Sequence, residues 1–224
     1  MHPRIKICCI ASPAEARLAI RVGADALGLV SAMPSGPGVI EEVTIAAIAA
    51  AVPPPIATVL LTCLTTADAI VRQHGRCATT AIQLVDALEE GELARLRRAL
   101  PAARLVQVLH VRDEGVLEEA RAAAPHVHAV LLDSGNPSLA VKELGGTGRT
   151  HDWALSARVR RLLDGHGVPL YLAGGLHAGN VAEAVRTVRP FAVDVCSGVR
   201  TAGALDAAKA AAFIAAVRGV TLPG

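Results

Sequence analysis

The sequence predicts an α/β protein, a single-domain (β/α)8 TIM barrel spanning residues 1–224. Eight short aliphatic runs alternate with helical segments along the chain. Spread over 224 residues, each βα unit takes about 28 residues, the lower practical size of this architecture. A doubly wound open sheet would need a glycine-rich turn after its first strand, and Cys8-Cys9-Ile10-Ala11 stands there instead.

The strands are read at 4–10, 26–30, 56–62, 81–85, 104–111, 128–133, 169–174 and 191–196. Each is a nearly continuous run of Val, Ile, Leu and Ala, the pattern of parallel strands buried on both faces. The first helix opens at Ser12-Pro13-Ala14-Glu15, where a cap, a first-turn proline and a third-position acid coincide. Further helices fit 41–52, 66–75, 88–99, 115–124, 153–164 and 206–218, and Asn180 opens VAEAVRTV. The longest irregular stretches, 31–40 and 134–150, both follow strands. In a barrel, that is the substrate face.

Composition narrows the function. Hydrophobic residues are 52% but aromatics only 2%, so the core is aliphatic. A formal net charge of +2 with so few rings argues against nucleic-acid binding. No run approaches a membrane span of about 18 residues, and no targeting segment is evident at the N-terminus. Five cysteines without a CxxC spacing fit a reducing, cytoplasmic setting.

Chemistry-bearing residues gather at strand ends. Gly145-Gly146-Thr147-Gly148, Gly174-Gly175 and Ser197-Gly198 follow the last three strands. Glycines admit an anion close to backbone N–H groups, and barrels commonly hold phosphate on the loops after strands 7 and 8. Cys8 near the end of the first strand is a candidate base, and Lys6 lies two residues away on the same face. Asp133 closes the sixth strand after two leucines, where burial would help it keep a proton. Alternation turns Cys9 toward the helices, as a structural residue. His110 reads as a strand-end histidine that could also reach the pocket. The pair His126 and His128 falls on the opposite, stability face, and no metal is expected.

These residues resemble the phosphoribosylanthranilate isomerases, barrel enzymes of tryptophan biosynthesis. The similar segments are Lys6-Ile7-Cys8 with ADALGLV at 24–30, Ile82-Gln83-Leu84, Leu132-Asp133-Ser134, GGTGRTHDW at 145–153, LAGGLHAGNV at 172–181 and DVCSGV at 194–199. The resemblance runs the length of the chain. It implies an Amadori rearrangement, an aldose-to-ketose isomerisation of an N-(5-phosphoribosyl)amine by general acid–base catalysis. Asp133 would be the acid that opens the ribose ring, and Cys8 the base that removes the C2′ proton. Phosphate would rest near Gly146, Gly148, Gly175, Ser197 and Gly198. Lys6, Gln83, Arg149, Asp194 and Arg200 would be substrate-binding. No cofactor is needed, the partner is a small phosphorylated sugar-amine, and the protein would be a monomer or homodimer.

The departures from the family pattern are selective. Gly38 stands where the family has the arginine that holds the anthranilate carboxylate, and Val85 stands where it has a histidine. KICG becomes KICC at Cys9, and SSGVE becomes Cys196-Ser197-Gly198-Val199-Arg200. Arg149 or Arg200 is the expected replacement cation. Two alternatives follow from these changes: a paralogue acting on a different phosphoribosylamine, and a barrel that binds a sugar phosphate without turning it over.

Overall fold

In the computed structural model, which describes residues 2–135 and 150–221, eight parallel strands close into a barrel in sequence order. The strands are β1 (Arg4–Ile7), β2 (Ala26–Val30), β3 (Ala57–Thr62), β4 (Ala81–Leu84), β5 (Arg104–His110), β6 (Ala129–Asp133), β7 (Leu170–Leu172) and β8 (Ala192–Val195). The helices are α1 (Pro13–Val22), α2 (Glu42–Ala51), α3 (Ala67–Cys77), α4 (Glu92–Ala99), α5 (Val116–Ala123), α6 (Trp153–Asp164), α7 (Val181–Val188) and α8 (Ala207–Arg218). Every strand predicted from the aliphatic runs is present, and β1 closes the cylinder by pairing with β8 from Arg4↔Ala192 to Ile7↔Val195. A short hairpin, Arg200–Thr201 with Ala204–Leu205, follows β8.

Strand alternation separates two apolar layers. Outward residues such as Ile5, Ile7, Leu27, Leu29 and Leu60 meet the helices in the main core. Inward residues such as Val30, Val59, Leu61, Val106 and Leu131 fill the cylinder. Both layers are aliphatic, as the scarcity of aromatics requires; Phe213 is the one ring fully buried among the helices.

Several elements end earlier than their aliphatic runs. β1 stops at Ile7 because Cys9 takes φ 62°, a left-handed value that breaks the extended backbone. β7 stops ahead of Gly174 and Gly175, at φ 83° and 61°. Ser12 caps α1 as expected, accepting from the Glu15 N–H at 3.2 Å. Asn180 does not cap α7 through its side chain. It donates instead to the Gly175 carbonyl at 3.0 Å and accepts from the His177 N–H at 2.9 Å, which fixes the loop after β7.

The seam between the first and last strands is tied by charge. Arg200 donates to both Glu15 oxygens, at 3.2 and 3.4 Å, and to the carbonyls of Cys8, Cys9 and Gly203. Glu15 also accepts from the N–H groups of Ala11 and Leu205. Burial opposes the Glu15 charge, but those two N–H groups and Arg200 hold its carboxyl below the usual range. The Arg200 and Glu15 side chains are only 8% and 16% exposed, so neither partner is easily resolvated. Arg200→Ala is expected to cost roughly 3 kcal/mol in urea unfolding, whereas Arg4→Ala, in the exposed pair with Asp25, should cost less than about 1 kcal/mol.

Candidate active site

One cleft opens at the C-terminal ends of the strands. Cys8, Asp133, Gln83, Asp194, Gly175 and Ser197 all lie on its wall. The loop after β2 contributes Met33, Ser35, Gly36 and Pro37. The barrel topology therefore brings together residues as far apart in sequence as Cys8 and Ser197.

Asp133 ends β6 facing into the barrel and is 8% exposed. Burial, and secondarily the Asp194 carboxylate, raise its pKa to about 6, against the opposing pull of the Ser134 N–H and Lys6. The Ser134 N–H donates to Asp133 Oδ1 at 2.7 Å. A carboxyl in this state can give up a proton near neutrality, which an ordinary aspartate cannot.

Beneath Cys8, Lys6 Nζ donates to Asp194 Oδ2 at 2.8 Å, with the two side chains 1% and 8% exposed. Burial works against the ammonium, yet Asp194, and to a lesser degree Cys8, hold its pKa above the ordinary lysine value. Lys6 is not on the wall of the upper cleft. It lines the lower cavity of the barrel, where its partner is Asp194, a pairing that nothing local in the sequence announces. The reason is distance in sequence: 188 residues separate the pair, and only barrel closure brings β1 against β8. Asp194 Oδ1 and Gln83 Oε1 are buried without a hydrogen-bond partner among the described residues.

Gly28 is a site residue that sequence reasoning missed. A Cβ there would lie 2.7 Å from Cys8 Sγ, 3.0 Å from Cys8 Cα and 3.1 Å from Lys6 Nζ. Its missing side chain is what lets the thiol and the ammonium share one corner of the barrel. The only signal in the sequence was a glycine inside an otherwise aliphatic strand.

Other expectations are corrected. Cys9 does not turn toward the helices; it lies on the cleft wall, because its left-handed backbone ends the strand alternation. Its Sγ lies 2.8 Å from Cys196 Sγ. A non-glycine residue held there costs about 1 kcal/mol. Arg200 is absent from the cleft wall and is engaged with Glu15, so it does not replace the missing clamp. Gly198 is also off the wall; a Cβ there would strike the Leu176 carbonyl and lie 3.0 Å from His177 Cα. Its role is close packing between the loops after β7 and β8. His110 lines a separate cleft with Arg112 and Glu119. His128 accepts from the Leu105 N–H at 3.0 Å. His151 sits over Gly174, whose added Cβ would lie 2.9 Å from Nδ1, and burial lowers its pKa to about 4. Gly146, Gly148 and Arg149 lie outside the described residues.

Gly38 is pressed against Cys9. A Cβ at position 38 would clash with Cys9 Cβ and lie 2.9 Å from Cys9 Cα, and the φ of 79° disfavours any side chain. Among the described residues, no lysine, arginine or histidine lines the cleft.

The Lys6–Asp194 pair makes a stability prediction. Lys6→Met should cost roughly 3–5 kcal/mol in urea unfolding, because it leaves a buried carboxylate unpaired. Lys6→Met with Asp194→Leu should recover most of that loss. Equal destabilisation of the single and double variants would show that the pair contributes no coupling.

Comparisons with known proteins agree on one family. The family model for N-(5'phosphoribosyl)anthranilate (PRA) isomerase matches residues 5–216. The N-(5'-phosphoribosyl)anthranilate isomerase of Haloarcula marismortui is 39% identical over 201 residues, covering 89% of this chain and 88% of that protein. That of Halorubrum lacusprofundi is also 39% identical, with 95% of each chain covered. Among solved structures, the phosphoribosyl anthranilate isomerase of Thermotoga maritima superimposes with a TM-score of 0.81 at 30% identity, over 97% of this chain and all (100%) of that one. A phosphoribosyl anthranilate isomerase in complex with reduced 1-(o-carboxyphenylamino)-1-deoxyribulose 5-phosphate gives 0.78 at 28% identity, over 97% and 100% of the two chains. The chain belongs to the phosphoribosylanthranilate isomerase family.

Proposed function

We propose that the protein isomerises an N-(5-phosphoribosyl)arylamine, with N-(5'-phosphoribosyl)anthranilate as the first substrate to test, in an Amadori rearrangement. The observation that carries this reading is that Cys8 and Asp133 face one cleft in a chain of this family. Asp133 donates its proton to the ribose ring oxygen, and the C1′–O bond breaks to give an open-chain imine. Cys8, as thiolate, takes the C2′ proton, and the electron pair moves to the imine nitrogen to give an enolamine. Tautomerisation yields the 1-amino-1-deoxyketose. Each transfer is general acid–base catalysis, worth about 10²–10⁴-fold. The backbone of Gly175 and Ser197 supports a phosphate on the cleft wall, and the Asn180 bonds keep the first of those loops in shape. Gln83 and Asp194 present oxygens, unpartnered among the described residues, beside the ribose position. Five free cysteines suit a reducing compartment such as the cytoplasm.

A second reading concerns the amine. The cleft has no cation among the described residues, and Gly38 backs onto Cys9. A buried carboxylate without a partner is costly, so the described wall fits an uncharged arylamine better than anthranilate unless Arg149, outside the described residues, supplies the cation. Fluorescence-monitored turnover of the anthranilate substrate, beside the phosphoribosylamine of aniline, separates the two. Preference for the aniline compound supports the second reading, and preference for the anthranilate compound dismisses it.

Cys8→Ala and Asp133→Asn should each lower turnover of the accepted substrate at least about 100-fold. Undiminished turnover in either would overturn that residue's assignment. Asp133 also makes a pH prediction. Its folded pKa lies above its unfolded value, so its contribution to stability is complete below about pH 4 and is lost as pH rises through about 6. Asp133→Asn is free of that loss. Relative to the parent it should gain on the order of 2–3 kcal/mol between pH 4 and pH 7.5, measured by urea unfolding at both values.

A further inference from the structure

Three thiols meet at the seam where β1 adjoins β8. Cys8 and Cys9 are buried and Cys196 is partly exposed, and all three line the cleft. Cys9 and Cys196 are 187 residues apart in sequence, yet their sulfurs lie 2.8 Å apart. Cys9 holds this position in a left-handed conformation, at φ 62°, that glycine would adopt freely. Strain retained at such a point is a motive for a functional hypothesis. Position 38 also gives way to it, since a side chain there would collide with Cys9.

We propose that Cys9 and Cys196 form a reversible dithiol–disulfide pair that takes up oxidising equivalents from a hydroperoxide ahead of Cys8. Cys196 is the attacking sulfur, being the most exposed of the three. Its pKa is lowered by the hydrogen bond with Cys9 and, against burial, by the Arg200 charge, and the same hydrogen bond raises that of Cys9. The Cys196 thiolate attacks a peroxide oxygen, the O–O bond breaks, and water leaves after protonation. Cys196 is then a sulfenic acid. Cys9 sulfur attacks it, the S–O bond breaks, the S–S bond forms, and the Cys9 proton leaves with the second water. One hydrogen peroxide is thus reduced to two waters while two thiols become one disulfide. An external dithiol reverses the step by exchange. Cys9 acts as the resolving residue, and Cys8 remains a thiol.

The test treats the purified full chain with hydrogen peroxide, blocks free thiols, and maps peptides without reduction. The expected result joins the peptide that carries Cys8 and Cys9 to the one that carries Cys196. Fragmentation should place the link on Cys9 and the blocking group on Cys8, and dithiothreitol should abolish the link. Cys8→Ser should keep the crosslink. Cys9→Gly, which relieves the left-handed backbone and so preserves the fold, should lose it, and Cys196 should then be trapped by dimedone as a sulfenic acid. A crosslink that survives in Cys9→Gly would overturn the proposal by making Cys8 the partner. So would oxidation of Cys8 at the same rate as Cys196, or the absence of any crosslink in the folded parent chain.

Discussion

The ion pair between Lys6 and Asp194 is the constraint on which the site depends. It places a full positive and a full negative charge inside the barrel, 2.8 Å apart and closed to water. Lys6 cannot be uncharged there without stranding Asp194, and the reverse holds equally. The pair sets the field in which two further groups act. Asp194 adds to the burial that keeps a proton on Asp133, and Lys6 pulls the other way. Lys6 also stands beside Cys8, in the corner that Gly28 leaves open. The proposed acid and base, Asp133 and Cys8, therefore stand in one cleft above a charge pair that is already balanced. Strand register supplies the geometry: Lys6 is the β1 partner of Asp194 on β8, so closing the barrel forms the pair.

Much of this was legible in the sequence, because parallel strands buried on both faces leave long aliphatic runs and because barrel sites gather after strands. Asp133 was legible for a local reason, since a carboxylate that follows Leu131 and Leu132 has to be buried. What escaped reading depends on backbone conformation or on distant contacts. Cys9 was turned the wrong way because alternation holds only while the backbone is extended, and its φ is 62°. Arg200 was read as a free cation because Glu15, its partner, lies 185 residues away. Gly28 showed in sequence only as a glycine inside an aliphatic strand, since its value lies in what its missing side chain leaves room for.

Four of the departures from the family pattern, at Cys9, Gly38, Cys196 and Arg200, form one contiguous patch. Cys9 touches Cys196, a side chain at Gly38 would strike Cys9, and Arg200 donates to the carbonyl of Cys9. These four positions read as independent changes along the chain. In space, a change at one alters the surroundings of the others. A side chain restored at position 38 meets Cys9 at its Cβ, so the loop or Cys9 has to shift to admit it. The patch adjoins Cys8 on β1 and Ser197 after β8, while Asp133 on β6 and Gly175 after β7 stand on other strand ends. Barrel architecture permits this division, because each loop can vary while the strands hold the remaining groups in place.

The protonation state of Asp133 tests this account most directly. Carboxyl-carbon NMR of protein labelled at aspartate, with the Asp133→Asn spectrum used for assignment, reads it without reference to any substrate. The account predicts a titration midpoint near 6 for Asp133. A midpoint at the ordinary aspartate value of about 4 would contradict it, because only about one carboxyl in a thousand would then carry a proton at pH 7, against about one in ten at a midpoint of 6.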